Sequence, residues 1–480
     1  MLLEIFDCCR RADEYGWNHR RQWYMLLHVC RKWRYLMFES ASFLKLCLLC
    51  RPETPVAEML MHFPPLPLIV ECNGGIGRGP SLKNMLLPFQ HPDRVYSINI
   101  GGWEFGYAFR EQEGALDKAF PVLETLTLSS EFGLDSPLLP RNFMTPHLLS
   151  LILRGLSFSV ASPFLANAAN LISLRLQYIP DYSESLPKDL VEVLSSLPRL
   201  EVLSITFINS GYSIEDLLPE LRRTPTPDQI TRVVLSNLST LICAGVGAYL
   251  ENLLALISTP LLQRFDATYH TCRPFTVSCI SEFLGTIHNL NFQRVEVWLD
   301  EVRVGRSVII TYHLGQSSDN LSYLKFTIDG ADNRSEQVDF ARLICRAMAP
   351  VHPVLQDLTL KYRKSGEPPI NCSSTHAFLL SLKGLTTLRL LNRDLAAEFA
   401  DALWLKLDNG VVIKELLPML SELDVVSSED RVLERLVSFI DERRLAGHHI
   451  DLQVFEERPR SFSHNDGCVF CTPSVRSFGY

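Results

Sequence analysis

What most constrains this chain is a short signature, apolar-x-x-apolar-x-apolar, that returns twelve times in one order. It reads Val95/Ile98/Ile100, Leu123/Leu126/Leu128, Leu148/Leu151/Leu153, Leu171/Leu174/Leu176, Leu200/Leu203/Ile205 and Leu238/Leu241/Cys243. It goes on as Leu262/Phe265/Ala267, Phe292/Val295/Val297, Leu321/Leu324/Phe326, Leu355/Leu358/Leu360, Leu385/Leu388/Leu390 and Leu420/Leu423/Val425. Starts are 28, 25, 23, 29, 38, 24, 30, 29, 34, 30 and 35 residues apart. The last two apolar residues of each signature alternate with period two, as on one face of a strand. Helical patterns fall between signatures, at 188–196, 246–258, 277–287, 336–348, 395–406 and 430–443. One strand and one helix cannot bury a core alone. Stacked units can, because a ladder of apolar residues then fills the space between a parallel sheet and a helix layer. The fold class expected is therefore α/β, and an ordinary α/β domain with leucine-rich strands is the competing reading.

The spacing and the strand-plus-helix unit resemble leucine-rich repeats, which implies a solenoid over 91–456. The units vary in length and lack the Asn that closes many such repeats, so the arc is expected to be irregular. Before it, Leu44-x-Leu46-x-Leu48 and Leu66-x-Leu68-x-Val70 read as strands, 55–61 as a helix, and 52–90 as a connector with the first irregular repeats. After it, Ile450-x-Leu452-x-Val454 reads as a last strand, and 457–480 as a flexible polar tail.

The first 51 residues are different. Leu26, Val29, Cys30, Trp33 and Met37 share one helical face, with His28, Arg31, Lys32 and Arg34 behind. With Leu2-Leu3-Glu4-Ile5-Phe6 upstream, the string HVCRKWRYLMFES resembles an F-box, in the form found in fungal F-box proteins with leucine-rich repeats. The matching positions are Leu3, Ile5, Phe6, Leu26, Val29, Cys30, Trp33 and Leu36. The resemblance implies a helical hairpin that binds a Skp-type linker subunit and, through it, a cullin scaffold, leaving the repeats to select a target protein. Family members usually open with Leu-Pro several residues earlier. This chain starts at Met1 inside the first helix, which is expected to be truncated. The same residues would also serve as a cap on the next domain.

Of 480 residues, 47% are apolar and 21% charged, a globular composition. The net charge of −8 argues against general nucleic-acid binding. Residues 1–51 hold nine Lys/Arg against five Asp/Glu, a charge of +4 that leaves −12 for the remainder. Thirteen cysteines with no repeating frame suit a reducing compartment, cytoplasmic or nuclear. No apolar run reaches membrane-spanning length and no signal peptide is visible.

No phosphate loop, nucleophile elbow or zinc-protease helix is present, so a non-catalytic adaptor is expected, with no cofactor and no metal. The glycine-rich stretch 73–80 reads as a connector, and the lone Cys468-x-x-Cys471 lacks a second ligand pair. Binding candidates are the residues that alternate with the inner apolar ladder: Arg175, Arg264, Asp266, Arg294, Glu296, Trp298, Tyr323, Lys325, Asp357, Thr359, Lys361, Arg389, Glu422 and Asp424. They mix both charge signs with aromatics, which suits a protein segment better than a polyanion. A leucine-rich-repeat scaffold with no ligase role is the alternative.

Overall fold

The computed structural model describes residues 29–39, 45–63, 65–73, 81–101, 118–130, 143–156, 165, 168–180, 187–208, 232–270, 277–287, 292–302, 305–314, 323–331, 334–348, 355–362, 372–404, 416–427, 429–455 and 475–477. Leu3, Ile5, Phe6 and Leu26, the stretch 74–80 and the Cys468–Cys471 pair lie outside them. The chain is mixed α/β with mostly parallel strands, in two compact units, 1–208 and 209–480. The boundary falls inside the longest interval between signatures.

The first unit holds α1 (Arg31–Glu39), β1 (Leu46–Leu49), α2 (Val56–His62), β2 (Leu68–Asn73), α3 (Leu82–Leu86), β3 (Val95–Gly101), β4 (Thr125–Ser129), β5 (Ser150–Arg154), β6 (Ser173–Ile179), α4 (Pro187–Ser195) and β7 (Val202–Phe207). Strands β1 to β7 pair in sequence order, each parallel to the last. The signature residues are buried throughout, from Val95, Ile98 and Ile100 to Leu200, Leu203 and Ile205.

The first position of the signature has a separate task. The amide of Leu123 donates to the Phe120 carbonyl three residues back, and those of Leu148, Leu171, Leu200, Leu238, Leu262, Leu385 and Leu420 do the same. This tight turn drops the chain into the core before each strand. The next two amides then share one carbonyl of the previous unit: Leu149 and Ser150 on Glu124, Ile172 and Ser173 on Leu149, Glu201 and Val202 on Ile172. Thr386 and Thr387 on Gln356 repeat it in the second unit, as do Ser421 and Glu422 on Thr386. The backbone polar groups at each entry are thereby satisfied by the neighbour.

Gly155, just after β5, has φ +64°, and an added Cβ would lie 2.1 Å from the Ser130 carbonyl oxygen. Only glycine fits there.

The second unit holds β8 (Val233–Val234), β9 (Thr240–Val246), α5 (Gly247–Leu256), β10 (Ile257–Ser258), β11 (Arg264–His270), α6 (Ser278–Leu284), β12 (Phe292–Val302), β13 (Gly305–Leu314), β14 (Tyr323–Ala331), α7 (Arg334–Met348), β15 (Asp357–Tyr362), α8 (Cys372–Leu380), β16 (Thr387–Leu390), α9 (Arg393–Trp404), β17 (Glu422–Val426), α10 (Asp430–Leu445), β18 (Asp451–Phe455) and β19 (Val475–Ser477). Here the repeat order breaks. β13 is a strand that the signature does not contain. It runs antiparallel between β12 and β14. The spatial order becomes β9, β11, β14, β13, β12, β15, β16, β17, β18. The strands at Phe292 and Leu321, expected in sequence order, have exchanged places.

The cause is a short hairpin. Only two residues separate β12 from β13, and so tight a link joins antiparallel neighbours. β13 therefore has β12 on one side and β14 on the other, and β14 rather than β12 reaches β11. Phe326 of β14 meets Phe265 of β11 edge to face at 5.4 Å, and Tyr312 of β13 meets Phe326 at 6.1 Å. The helices nevertheless keep sequence order, α5 against α6 and onward to α9 against α10. Gln337 of α7, fully buried, donates to the Ser307 carbonyl of β13 at 2.9 Å and ties the hairpin to the helix layer.

The exchanged order is open to a direct check. Thr268 and Thr327 face each other across β11 and β14, whereas Trp298 lies on β12. Thr268→Cys with Thr327→Cys is expected to give a disulfide-linked peptide pair by mass spectrometry, since paired strands bring Cα atoms to within about 7 Å. Thr268→Cys with Trp298→Cys is expected to give none. The reverse result would restore the simple order.

Candidate functional site

Alternation along the strands puts the signature residues on the helix side and the intervening residues on the opposite, polar face. In the first unit this face carries few charges, Glu71, Arg154 and Arg175. One row runs Ser97, Thr125, Ser150, Ser173, Val202, and the next runs Asn99, Thr127, Ile152, Arg175, Ser204. Sequence reasoning took only Arg175 from it. The hydroxyl rows were legible as T-x-T and S-x-x-x patterns but carry no charge to draw attention. A register shift in β6 leaves Tyr178 with φ 56° and 59% exposed, its amide donating to Thr206 Oγ1 at 3.1 Å. An exposed aromatic on a strained bulge is a contact feature that periodicity cannot find.

In the second unit the polar face is charged. Its middle row reads Ile242, Asp266, Lys325, Thr311, Glu296, Thr359, Arg389, Asp424, Gln453 from strand to strand. The candidate residues fall into three groups.

On β11 and β14, Lys325 Nζ lies 3.3 Å from Asp266 Oδ2, and the Arg264 guanidinium sits 5.1 Å from the Tyr323 ring centre. Neither contact exists in the sequence-order arrangement.

On β12 and β15, Glu296 is the hub. Its carboxylate takes Lys361 at 3.0 Å, Arg294 at 3.0 Å and the Trp298 indole N–H at 3.4 Å. Lys361 also stands 4.5 Å from the Trp298 ring centre. Burial alone would raise the Glu296 carboxyl, but the ammonium of Lys361, with Arg294, outweighs it and holds the group below its ordinary value. His313 on β13, opposite Arg294, is pushed down by burial, partly offset by Glu296.

On β15, β16 and β17, Arg389 is the hub. Its Nη1 donates to both Asp357 oxygens at 2.6 and 2.7 Å, its Nε to Asp424 Oδ2 at 3.0 Å, and its Nη2 lies 3.9 Å from Glu422. Burial pulls the guanidinium down, and the two aspartates more than reverse this. Thr387 donates to the other side of the cluster, at Glu422 Oε2, 3.0 Å.

The chemistry this face offers is ionic and hydrogen-bonding. Among the described residues no group of three or more His, Cys, Asp or Glu side chains comes together as a metal site, and no helix is long and apolar enough to cross a membrane. Thr311 and His313, also missed by sequence reasoning, belong to β13. Its signal was present in the alternation Val308, Ile310, Tyr312 after Gly305.

At the other candidate site, the helix does not extend back over the F-box-like string. α1 begins at Arg31, and Val29 and Cys30 precede it, both exposed. This corrects the expected helical face, which placed Val29 and Cys30 on the helix with Trp33. The Cys30 thiol accepts the Trp33 amide at 3.4 Å, as an N-terminal cap would. Trp33 and Leu36 are half-buried, Val29 is 58% exposed and Tyr35 66% exposed.

No protein-family model matches this chain, and no curated protein matches it significantly.

One buried acid lies outside the polar face. Glu251 of α5 is in the core, accepting the Cys279 amide at 2.7 Å. Burial pushes its carboxyl up to about 7 against that hydrogen bond. A group whose folded pKa is raised favours folding when protonated. Its contribution is therefore full below the ordinary carboxylate range and is lost as pH rises towards 7. Glu251→Gln keeps an acceptor for Cys279. It is expected to match the parent in urea unfolding near pH 4.5 and to exceed it at pH 8, by roughly 1–3 kcal/mol. Equal stabilities at pH 8 would refute the buried-acid account.

Proposed function

We propose that this protein is a substrate receptor of a Skp–cullin–F-box ubiquitin ligase, a non-catalytic adaptor in the cytoplasm or nucleus. In this reading Leu3, Ile5, Phe6, Leu26, Val29, Cys30, Trp33 and Leu36 hold the linker subunit. Behind them, a leucine-rich-repeat solenoid presents a target protein to the ligase by proximity. The observation that carries it is a division of labour. An exposed apolar set, Val29 and Tyr35 with half-buried Trp33 and Leu36, stands at α1, while the second unit offers a face of charged residues. An apolar anchor suits a constant partner, and a charge pattern suits a selective one.

The second reading is a leucine-rich-repeat interaction scaffold with no ligase role. It is favoured by the position of Val29 and Cys30 before the helix rather than on its face.

Affinity purification separates the two. Full-length protein is expected to bring down the Skp-type linker subunit and a cullin, and removal of residues 1–51 to abolish both. Trp33→Ala is expected to cost about 2 kcal/mol or more of docking. Recovery of the linker subunit unchanged by Trp33→Ala together with Val29→Asp would leave the scaffold reading standing.

A further inference from the structure

The charges on the second unit's polar face are unevenly compensated. Asp266 has Lys325, and Glu296 has both Lys361 and Arg294. At the C-terminal end, Arg389 is the one cation that serves Asp357, Asp424 and Glu422 among the described residues, and the next strand adds Asp451 directly opposite Glu422. Three carboxylates thus share one guanidinium, with a fourth, Asp451, beside Glu422 on the next strand.

Asp424 bears the deficit. It is 6% exposed, its Oδ2 is taken by Arg389, and its Oδ1 is buried with no hydrogen-bond partner. A buried unpaired oxygen costs about 1–3 kcal/mol, more if charged. Burial and the neighbouring Glu422 raise the Asp424 carboxyl above its ordinary value against the pull of Arg389.

The surroundings specify what would relieve this. Val426 and Phe455 face each other in the next row along β17 and β18, both half-buried, on the same face as Glu422, Asp424 and Asp451. The carboxylate of Asp424 therefore lies one row from this apolar step, and those of Glu422 and Asp451 one row farther. An arginine side chain fits both, with a planar fork for carboxylates and an apolar stem. A bare divalent ion would use the carboxylates and leave the step idle.

We infer that the β16–β18 end of this face is a receptor for an arginine side chain presented by an extended, basic segment of a partner protein. The guest guanidinium takes Glu422, half-exposed on β17, and Asp451, exposed on β18. Arg389, already bound twice to Asp357, can then release Asp424 to it. This rests on the reading of the polar face as the target-binding surface, and names the chemistry that the target carries.

The test uses the full-length chain and three fluorescein-labelled peptides of one Gly/Ser framework carrying Arg, Ala or Glu at alternate positions. Fluorescence anisotropy is expected to show binding of the Arg peptide alone, weakening as salt is raised. Glu422→Gln with Asp424→Asn is expected to weaken it about tenfold or more. Removal of two charges elsewhere, Glu429→Gln with Asp430→Asn, is expected to change it less than about twofold. If the double variant melts early, Glu422→Gln alone, at a half-exposed position, is expected to weaken binding about threefold. No binding to the parent chain, or equal losses in the two double variants, would overturn the inference. Linker-subunit recovery is read separately, so such a failure leaves the receptor reading intact, and loss of the linker leaves this one measurable.

Discussion

Everything in this molecule depends on how one unit enters the sheet beside the last. Among the described residues, a turn closes on the first apolar residue at eight of the signatures, and at six of these the two amides that follow share a carbonyl of the preceding repeat. That arrangement satisfies backbone groups that would otherwise be buried and unpaired, and it sets the strand register at the same stroke. The apolar ladder then buries itself from Leu46 in β1 to Val454 in β18. A unit removed from its neighbour loses both the hydrogen-bond partner and the hydrophobic contact, so stability is a nearest-neighbour property.

The β12–β14 meander shows how far that rule bends. Its strands obey the same face alternation as all the others, yet β14 takes the place that β12 would occupy. The ladder tolerates this because Phe326 supplies the aromatic contact to Phe265 that any apolar residue at the position must make. The helix layer keeps its order beneath, with α7 anchored to β13 through Gln337. The exchange acts on the polar face. It brings Lys325 to Asp266 and places Glu296 within reach of Lys361, so the charge pattern available to a partner is a product of strand order.

The two units differ in what they offer. Rows of hydroxyl and amide groups in the first unit present many weak, adaptable contacts. The second concentrates charge around two hubs, Glu296 and Arg389. The Glu296 hub is rich in cations and its carboxyl is held low against burial, whereas Asp424 beside the Arg389 hub is raised, first by burial and then by the neighbouring Glu422. Half-buried pairs of this kind contribute modestly to stability. Their larger effect is to set which charges remain for a partner to meet.

Periodicity alone determined which residues point inward, where helices α4 to α7, α9 and α10 lie and which side chains of the signature strands form the polar face, since each of these depends on spacing along the chain; α8 (Cys372–Leu380) carries no such signal. The burial of Leu126, Leu151, Leu174, Leu203 and Leu388 follows from that pattern. Strand β13 was partly legible, in the alternation Val308, Ile310, Tyr312, although it lacks the entry turn of the signature. Only the tertiary structure decided strand order, the start of α1 at Arg31, the partners of Glu296 and Arg389, and the unsatisfied oxygen of Asp424. The reason is physical. A period of two assigns a residue to a face, but two orders of the same strands share those faces. The choice between them rests on contacts between residues far apart in sequence, such as Phe265 with Phe326, that no local spacing encodes.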